Sequence, residues 1–187
     1  MSDHDLTSIS KSVSYHLRHS DIAMDSAGWA RVEDLLARVK TTPTILQRVI
    51  DTNNKKRFEL SADGFRIRAG QGHSTAQVSD ERMESSWVPV DPQGLRFYHG
   101  TMRRNVPSIL MNGIRPMERT HVHLAAEKNS SVGKRHNVDA LIEVSGDKLA
   151  DSGVAVFRAP NGVILAKTVP PSAITSDLKY LTITNAL

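Results

Sequence analysis

The sequence lacks several features that would place the protein in a familiar class. There is no cysteine, which excludes disulfides and thiolate metal sites and fits a reducing compartment. No apolar run approaches the roughly 18 residues of a membrane span, and the amino terminus lacks the basic-then-apolar order of a leader peptide. We therefore expect a cytoplasmic protein, or a nuclear one in a eukaryotic cell, with no membrane partner.

Motifs of common catalytic sites are missing too. The sequence contains no GxxxxGK phosphate loop, no nucleophile-elbow pattern and no evident pair of catalytic carboxylates. An open zinc site could be drawn from four histidines, His99, His121, His123 and His136. We predict no metal, because carboxylates are scarce around these histidines and the neighbouring cations would repel a divalent ion. The surplus of arginine and histidine instead suits phosphate binding and charge stabilisation.

Positive charge is concentrated in one stretch. The net charge is +4, but residues 96–135 alone carry eight Lys and Arg against two acids, Glu118 and Glu127. Backbone N–H groups at Gly100-Thr101 would be available at a corner of this stretch. Clustered cations with open N–H groups suit a dinucleotide or an RNA phosphate. A solvated basic face on an ordinary strand-helix-strand segment is the alternative interpretation.

The first ninety residues have the pattern of three helices followed by a hairpin. An apolar stripe predicts a helix over residues 6–19, with Arg18 and His19 in its last turn. A second apolar pattern follows, and a third helix opens at Thr42-Pro43. Period-two alternation around a Gly-containing turn then predicts a hairpin over 57–69. Three short helices followed by a basic hairpin are the layout of a winged helix.

Basic side chains cluster on the predicted wing. They are Lys55, Lys56, Arg57, Arg66 and Arg68. We predict that these cations form a surface that follows the phosphates of a nucleic acid. A plain solvated hairpin face is the alternative.

The second half is predicted to be rich in strands. The stretch from 75 to 94 is polar and carries two prolines, which indicates a connection between lobes of residues 1–90 and 91–187. Beyond it, the patterns predict a helix closed by Gly113 and strands at 96–99, 121–124, 140–144, 154–157 and 162–165, separated by turns. Alternation at 121–124 would place His121 and His123 on one face. The tail after 178 could add another strand.

Ordered motifs along nearly the whole chain give a specific resemblance. In order they are Ser10-Lys11, Leu17-Arg18-His19, Gly28-Trp29, Lys55-Lys56-Arg57-Phe58, Ile67-Arg68-Ala69, Gln71-Gly72-His73-Ser74, Tyr98-His99-Gly100-Thr101, Arg119 before His121-Val122-His123-Leu124, Val132-Gly133, Arg135, Asn161-Gly162-Val163 and Val169-Pro170. With this set, which covers roughly residues 9–171, the sequence resembles the RNA 2′-phosphotransferase family, the Tpt/KptA enzymes. Gly70 stands where asparagine is common, and the tail beyond Thr175 has no counterpart.

The resemblance implies an α+β protein with an N-terminal winged-helix RNA-binding lobe and a C-terminal β-rich lobe of the ADP-ribosyltransferase type. It implies a monomer that acts on RNA carrying an internal 2′-phosphate, as left at a tRNA splice junction, with NAD as co-substrate. In the implied reaction, the 2′-phosphate attacks C1″ of the nicotinamide ribose and expels nicotinamide, which gives a 2′-phospho-ADP-ribosyl RNA. The ribose 2″-hydroxyl then attacks phosphorus and releases 2′-OH RNA and ADP-ribose 1″,2″-cyclic phosphate.

The resemblance also assigns roles to residues of this sequence. The implied catalytic residues are Arg18, His19, Arg57 and Arg119. Arg18, His19 and Arg57 would bind the RNA 2′-phosphate. Arg119 would stabilise the transition states at the ribose–phosphate junction. The implied NAD-binding residues are His99, Gly100, Thr101, Gly113 and Arg135. These roles require a helix end, a wing strand and a strand of the second lobe to converge.

Two other functions stay open at this point. One is an ADP-ribosyltransferase that caps terminal phosphates of RNA or DNA and stops after the first step. The other is a winged-helix nucleic-acid binder without catalysis. NAD consumption and the identity of the products separate all three functions.

Overall fold

The protein divides into two compact units. The structure is a computed structural model that describes residues 3–53, 56–130, 132–133 and 138–175. The first unit comprises Met1–Ser86 and the second Trp87–Leu187. Both contain helices and strands, which confirms the predicted α+β composition. Across the described ranges, every helix is too short or too polar to cross a membrane.

Helices form one side of the first unit. The helix predicted over 6–19 is confirmed as α1 (Asp3–His19) and is followed by α2 (Val32–Val39) and α3 (Pro43–Asp51). Helix α3 begins where the sequence predicted, because the Thr42 hydroxyl accepts a hydrogen bond from the N–H of Ile45. This bond satisfies one of the N–H groups that a helix start leaves without an intrahelical partner.

A three-stranded antiparallel sheet completes the core of the first unit. Its strands are β1 (Ala30–Arg31), β2 (Phe58–Leu60) and β3 (Arg66–Ala69), in the order β1-β3-β2. The predicted hairpin is therefore confirmed, with Phe58 opposite Ala69. Val13 and Leu17 of α1 are buried in the same core as Ile67 and Ala69 of β3. The end of α1 consequently lies close to the segment that follows β3.

The second unit contains two sheets. Its strands are β4 (Val88–Val90), β5 (Arg96–Thr101), β6 (Val122–Leu124), β7 (Ala140–Ser145), β8 (Val156–Arg158) and β9 (Ile164–Ala166). Four of them form an antiparallel sheet in the order β4-β8-β9-β6, and β5 pairs with β7. A bridge between Tyr98 and Ala125 joins the two sheets. Strands β6, β7, β8 and β9 confirm the predicted strands to within two residues.

Helix α5 (Val106–Asn112) ends at the predicted glycine, for two physical reasons. Gly113 has a φ of 74°, and a Cβ there would lie 2.1 Å from the carbonyl oxygen of Val169. Ile114 and Val169 also exchange backbone hydrogen bonds of 2.8 and 2.9 Å. Any side chain at 113 would therefore force these two segments apart.

The stretch from 75 to 94 holds more structure than a connection. It contains a helix, α4 (Asp80–Glu84), whose N-terminus is capped by the hydroxyl of Ser79. It also contains β4, which pairs with β8 although Pro89 lies at its centre. Because β4 is an edge strand, the missing N–H of proline costs the sheet no hydrogen bond on its outer side.

A helix replaces one of the predicted turns. Residues Gly146–Asp151 form α6, where the sequence suggested a Gly-Asp turn between strands. The hydroxyl of Ser145 caps this helix by accepting a hydrogen bond from Lys148. Short polar helices and turns have similar compositions, so the sequence signals for α6 are weak: a capping serine and one apolar side chain, the buried Leu149. The strand suggested after 178 lies outside the described residues.

Candidate functional site

The last turn of α1 carries the first two candidate residues. Arg18 is half-buried and His19 is exposed. The Nε–H of Arg18 donates a hydrogen bond of 2.8 Å to the carbonyl oxygen of Gln71, and a terminal N–H donates to the hydroxyl of Ser14, one turn earlier. These contacts on two sides hold the guanidinium in one orientation.

The end of α1 rests on the segment Gln71-Gly72-His73-Ser74, which follows β3. The N–H of Ser74 donates a hydrogen bond of 2.9 Å to the carbonyl oxygen of Arg18, and the Ser74 hydroxyl lies 2.9 Å from Nδ1 of His19. Carbonyl groups in the last turn of a helix have no intrahelical partner. A distant segment therefore caps α1 and contacts both candidate side chains.

Arg57 lies directly before β2 and contacts the same segment. Its carbonyl oxygen accepts a hydrogen bond of 3.1 Å from the N–H of Gly70, so Arg57 and Arg18 are anchored on neighbouring residues. The Arg57 side chain is half-buried, and this burial lowers the pKa of its guanidinium. Within the described residues, no carboxylate and no hydrogen-bond acceptor contacts that guanidinium. A partly desolvated cation in this position is stabilised by an incoming anion.

His73 is a neutral residue in the interior of the first unit. Its side chain is fully buried, and burial, with smaller effects from the charges of Arg18 and Arg68, lowers its pKa to about 3. The imidazole therefore carries no charge near neutral pH. A Cβ at Gly28, whose φ is 79°, would lie 2.9 Å from Nε2 of His73. The positive φ and the close approach of the imidazole both favour glycine at position 28.

Arg68 does not belong to an exposed basic surface. It is 8% exposed, and its guanidinium donates a hydrogen bond of 2.8 Å to the carboxylate of Glu59, the residue opposite it on β2. The guanidinium also lies over the ring of Trp29, 4.6 Å from its centroid. The prediction that Arg68 follows phosphates is therefore wrong. Alternation along a strand could not reveal that Trp29 and Glu59 cover that face.

Other cations of the hairpin are more accessible. Arg66 is exposed and lies 3.7 Å from the carboxylate of Asp25, a separation at which a surface ion pair contributes little. Lys56 is also exposed. Lys55 lies outside the described residues. The prediction of a phosphate-following surface thus rests on Lys56, Arg57 and Arg66.

In the second unit, two hydrogen bonds join Arg119, His123 and His99. Arg119 is exposed in the loop before β6, and its guanidinium donates a hydrogen bond of 2.9 Å to Nδ1 of His123. Because a guanidinium has no acceptor atom, Nδ1 of His123 carries a lone pair. His99 on β5 is half-buried and donates from its own Nδ1 to the carbonyl oxygen of His123 at 3.0 Å. His123 therefore orients two predicted site residues.

Strand β5 parts from β6 beyond Tyr98. Tyr98 exchanges backbone hydrogen bonds of 2.9 and 2.8 Å with Ala125, and no further bridge joins β5 to β6 in the part of the chain that the structure describes. Backbone groups of every second strand residue point the same way, so the N–H and C=O of Gly100, like those of Tyr98, point away from β7. The neighbouring Thr101 is buried, and its hydroxyl accepts a hydrogen bond of 3.4 Å from the amide of Asn105.

The remaining predicted NAD-binding residues are Gly113 and Arg135. Gly113 has the packing requirement described above, which by itself accounts for glycine there. Its predicted contact with NAD stays a prediction. Arg135 lies outside the described residues.

His121 is buried among aromatic side chains. Strand β6 begins at Val122, so the predicted alternation does not extend to His121. Its side chain is 1% exposed and packs edge-on against Trp87 and Phe157, with ring centroids 4.8 and 6.4 Å apart. His136 lies outside the described residues. Among those that are described, no three His, Asp or Glu side chains come together as metal ligands would.

The structure shows contacts that sequence reasoning missed. His123 was considered as a metal ligand and as part of a family motif, but its contact with Arg119 and the contact of Ser74 with His19 were not foreseen. The motif containing Ser74 was visible in the sequence, but a residue 55 positions from its partner gives no pairing signal. Arg119 lies in the loop before β6, so the two-residue repeat of strand side chains gave no reason to pair it with His123.

Each unit therefore presents guanidinium and imidazole groups held by hydrogen bonds to its own segments. Guanidinium and imidazole groups of this kind suit the binding of phosphate-bearing ligands. The sequence pattern of the RNA 2'-phosphotransferase, Tpt1 / KptA family matches residues 4–168 of the chain.

Individual relatives give the same result. A "Probable RNA 2'-phosphotransferase" of Pectobacterium carotovorum subsp. carotovorum (strain PC1) is 39% identical over 179 residues, which cover 90% of this chain and 93% of that protein. A protein of the same name from Agrobacterium fabrum is 39% identical, and the match covers 90% of this chain and 93% of that protein. Another from Herpetosiphon aurantiacus is 36% identical, and the match covers 95% of this chain and 100% of that protein. The chain belongs to the RNA 2′-phosphotransferase family.

Proposed function

We propose that the protein removes an internal 2′-phosphate from RNA, such as the one at a tRNA splice junction, in a reaction that consumes NAD. Family membership supports the reaction class, since the relatives are named probable RNA 2′-phosphotransferases. The structural observation that carries the proposal is Arg57, a half-buried cation without a protein partner among the described residues. It is anchored beside the residue that fixes Arg18.

The first unit binds the phosphate in this proposal. A phosphate monoester offers three acceptor oxygens and close to two negative charges, and guanidinium groups bind such oxygens in pairs. Arg18, His19 and Arg57 hold the 2′-phosphate and orient it for reaction. Three helices with a sheet in the order β1-β3-β2 support a winged helix, whose exposed cations Lys56 and Arg66 follow the RNA backbone.

The second unit binds NAD in this proposal. The N–H and C=O of Gly100 point to the same side of β5, and this donor–acceptor pair fits a primary carboxamide such as that of nicotinamide. His99, fixed through its Nδ1–H, and Thr101 lie on either side of Gly100 and provide side-chain contacts to ribose hydroxyls. When bound, NAD supplies the ADP-ribosyl group to which the phosphate is transferred. Arg119, oriented by His123, stabilises negative charge at the ribose–phosphate junction.

A short RNA with one internal 2′-phosphate tests the proposal directly. The whole chain is incubated with this RNA, with and without NAD, and with a matched RNA that lacks the 2′-phosphate. We expect 2′-OH RNA, nicotinamide and ADP-ribose 1″,2″-cyclic phosphate only when both the 2′-phosphate and NAD are present. Retention of the phosphate in the presence of NAD would refute the proposal.

The same experiment separates the alternative functions. ADP-ribosylated nucleic acid that accumulates without the cyclic phosphate would indicate a transferase that stops after the first step. Binding of RNA without any release of nicotinamide would indicate a non-catalytic nucleic-acid binder.

A further inference from the structure

The hydroxyl of Ser74 contacts the imidazole of His19 across a long sequence interval. Ser74 Oγ lies 2.9 Å from His19 Nδ1, and the two residues are 55 positions apart. Both side chains are exposed, so burial does not force them together. The contact therefore reflects an arrangement of the backbone that brings a specific hydroxyl to a specific ring nitrogen.

Ser74 is held in place independently of the imidazole. Its N–H donates to the carbonyl oxygen of Arg18, and the preceding residue, His73, is fully buried. Three residues earlier, the carbonyl oxygen of Gln71 accepts the Nε–H of Arg18. Because the backbone around it is fixed, the hydroxyl loses little conformational freedom when it meets the imidazole. The end of α1 and residues 71–74 thus hold each other in place beside His19.

We propose that Ser74 is a positioning residue for His19, an inference that rests on the function proposed above. The hydroxyl of Ser74 donates to Nδ1 and so places the proton of the neutral ring on Nε2. The Nε2–H then donates to an oxygen of the RNA 2′-phosphate. Ser74 itself does not touch the substrate and acts only through the orientation and tautomer of His19.

The chemistry of serine suits this role better than other common partners of histidine. A hydroxyl can donate to Nδ1, as the tautomer with its proton on Nε2 requires. A backbone carbonyl would only accept, and it would therefore fix the neutral ring's proton on Nδ1 instead of Nε2. A carboxylate would favour the charged imidazole and compete electrostatically with a phosphate for it.

Kinetic coupling between the two residues tests the proposal. Ser74→Ala is expected to lower the single-turnover rate of 2′-phosphate removal about tenfold through lost orientation, and Ser74→Thr, which keeps a hydroxyl, to restore most of the rate. In a His19→Ala background, Ser74→Ala is expected to cause no further loss in rate or in affinity for the 2′-phosphorylated RNA. Equal losses in both backgrounds would overturn the proposal.

A matched control comes from the same unit. Ser85 is exposed, and its hydroxyl donates a hydrogen bond of 2.9 Å to the carbonyl oxygen of Arg82. Ser85→Ala also removes one exposed hydroxyl but contacts no candidate residue, so we expect wild-type turnover. A tenfold loss in this control would assign the effect of Ser74→Ala to general destabilisation and would overturn the positioning role.

The tautomer of His19 can be measured without any substrate. Nitrogen NMR of the full chain, above the pH at which His19 titrates, is expected to show the Nε2–H form in the wild type and a mixture of tautomers in Ser74→Ala. An unchanged tautomer ratio in the variant would contradict the proposal. If the wild type fails to remove a 2′-phosphate, the proposed function falls, while the tautomer ratio still decides whether Ser74 orients His19.

Discussion

The two units hold their candidate arginines by different means. In the first unit, Arg18 and Arg57 are half-buried; the guanidinium of Arg18 donates to the carbonyl oxygen of Gln71, and the backbone of Arg57 is bonded to Gly70. In the second, Arg119 is exposed, and the imidazole of His123 orients its guanidinium. Backbone groups keep their hydrogen-bonding character at every pH, whereas an imidazole loses its acceptor when it is protonated. The contact that orients Arg18 is therefore independent of pH, whereas the contact that orients Arg119 requires a neutral His123.

The loss of Arg57 is expected to have the largest effect. Arg57→Ala should lower turnover of the 2′-phosphorylated RNA by at least ~10³-fold, because several charge-assisted hydrogen bonds to the phosphate are lost together. The free energy of unfolding should not fall, since the variant removes a partly desolvated charge that has no partner among the described residues. Chemical denaturation and single-turnover kinetics measure the two effects.

Arg68 on the same hairpin provides the matched control for Arg57. Arg68→Ala breaks the contact with Glu59 and should lower the free energy of unfolding by about 2 kcal/mol. Below the denaturation midpoint it should leave the phosphate-dependent part of RNA affinity unchanged. The reverse pattern, in which Arg57→Ala unfolds the protein and Arg68→Ala abolishes phosphate binding, would contradict the proposed roles.

The loss of Arg119 is expected to affect chemistry more than binding. Arg119→Ala should slow the single-turnover rate by ~10²–10³, as for one lost transition-state donor, with RNA affinity changed by less than about threefold. Rapid-quench kinetics with saturating enzyme separates the two quantities. An unchanged rate would remove Arg119 from the site, and a loss of affinity as large as the loss of rate would give it a ground-state role.

The contact between Arg119 and His123 is expected to have a smaller effect. His123→Ala should lower the rate about tenfold, because Arg119 remains present but is less well oriented. His123→Gln supplies an amide oxygen that accepts at every pH. The wild-type rate should therefore fall more steeply than the His123→Gln rate on acidification. Parallel pH profiles of the two proteins would exclude an orienting role for the imidazole.

The smallest expected effect concerns stability and not turnover. The pKa of His73 is about 3 in the folded protein, against about 6.5 in an unfolded chain. Below about pH 6.5, His73 is therefore protonated in the unfolded chain, whereas in the folded protein it stays neutral down to about pH 3. Stability from this residue is complete above pH 6.5 and falls as the pH is lowered, by about 2 kcal/mol at pH 5.

Equilibrium unfolding at pH 8 and pH 5 checks this prediction. His73→Gln serves as the control, since glutamine cannot ionise. The difference in unfolding free energy between wild type and variant should shrink by about 2 kcal/mol from pH 8 to pH 5. A constant difference would mean that His73 titrates normally in the folded state.

Much of the fold could be predicted where the signal was local. The apolar stripe of α1, the Thr42-Pro43 start of α3 and the hairpin around Gly64 all follow from residues within a few positions of one another, and the structure has each of them. Strand β4 and helix α6 were missed because a proline or a Gly-Asp pair has the composition of a turn. Their structure comes from pairing with β8 and from a cap at Ser145.

The candidate site was less accessible to sequence reasoning because its contacts are distant in sequence. Alternation predicted an exposed Arg68, but Trp29 and Glu59 enclose it. The resemblance to a family identified Arg18 and Arg57 as site residues, but their hydrogen bonds to the neighbouring residues Gln71 and Gly70 are visible only in the structure. That anchoring depends on the packing of α1 against β3, which no local pattern encodes.

The contribution of the 2′-phosphate to RNA affinity is the most direct measure of the proposed phosphate site. Isothermal titration of the whole chain compares two short RNAs of one sequence, with and without a single internal 2′-phosphate, at fixed salt concentration. The proposed phosphate site predicts at least about tenfold tighter binding of the phosphorylated RNA, as for one or more hydrogen bonds between charged groups, and loss of this difference in Arg57→Ala. Equal affinity of the wild type for both RNAs would contradict it.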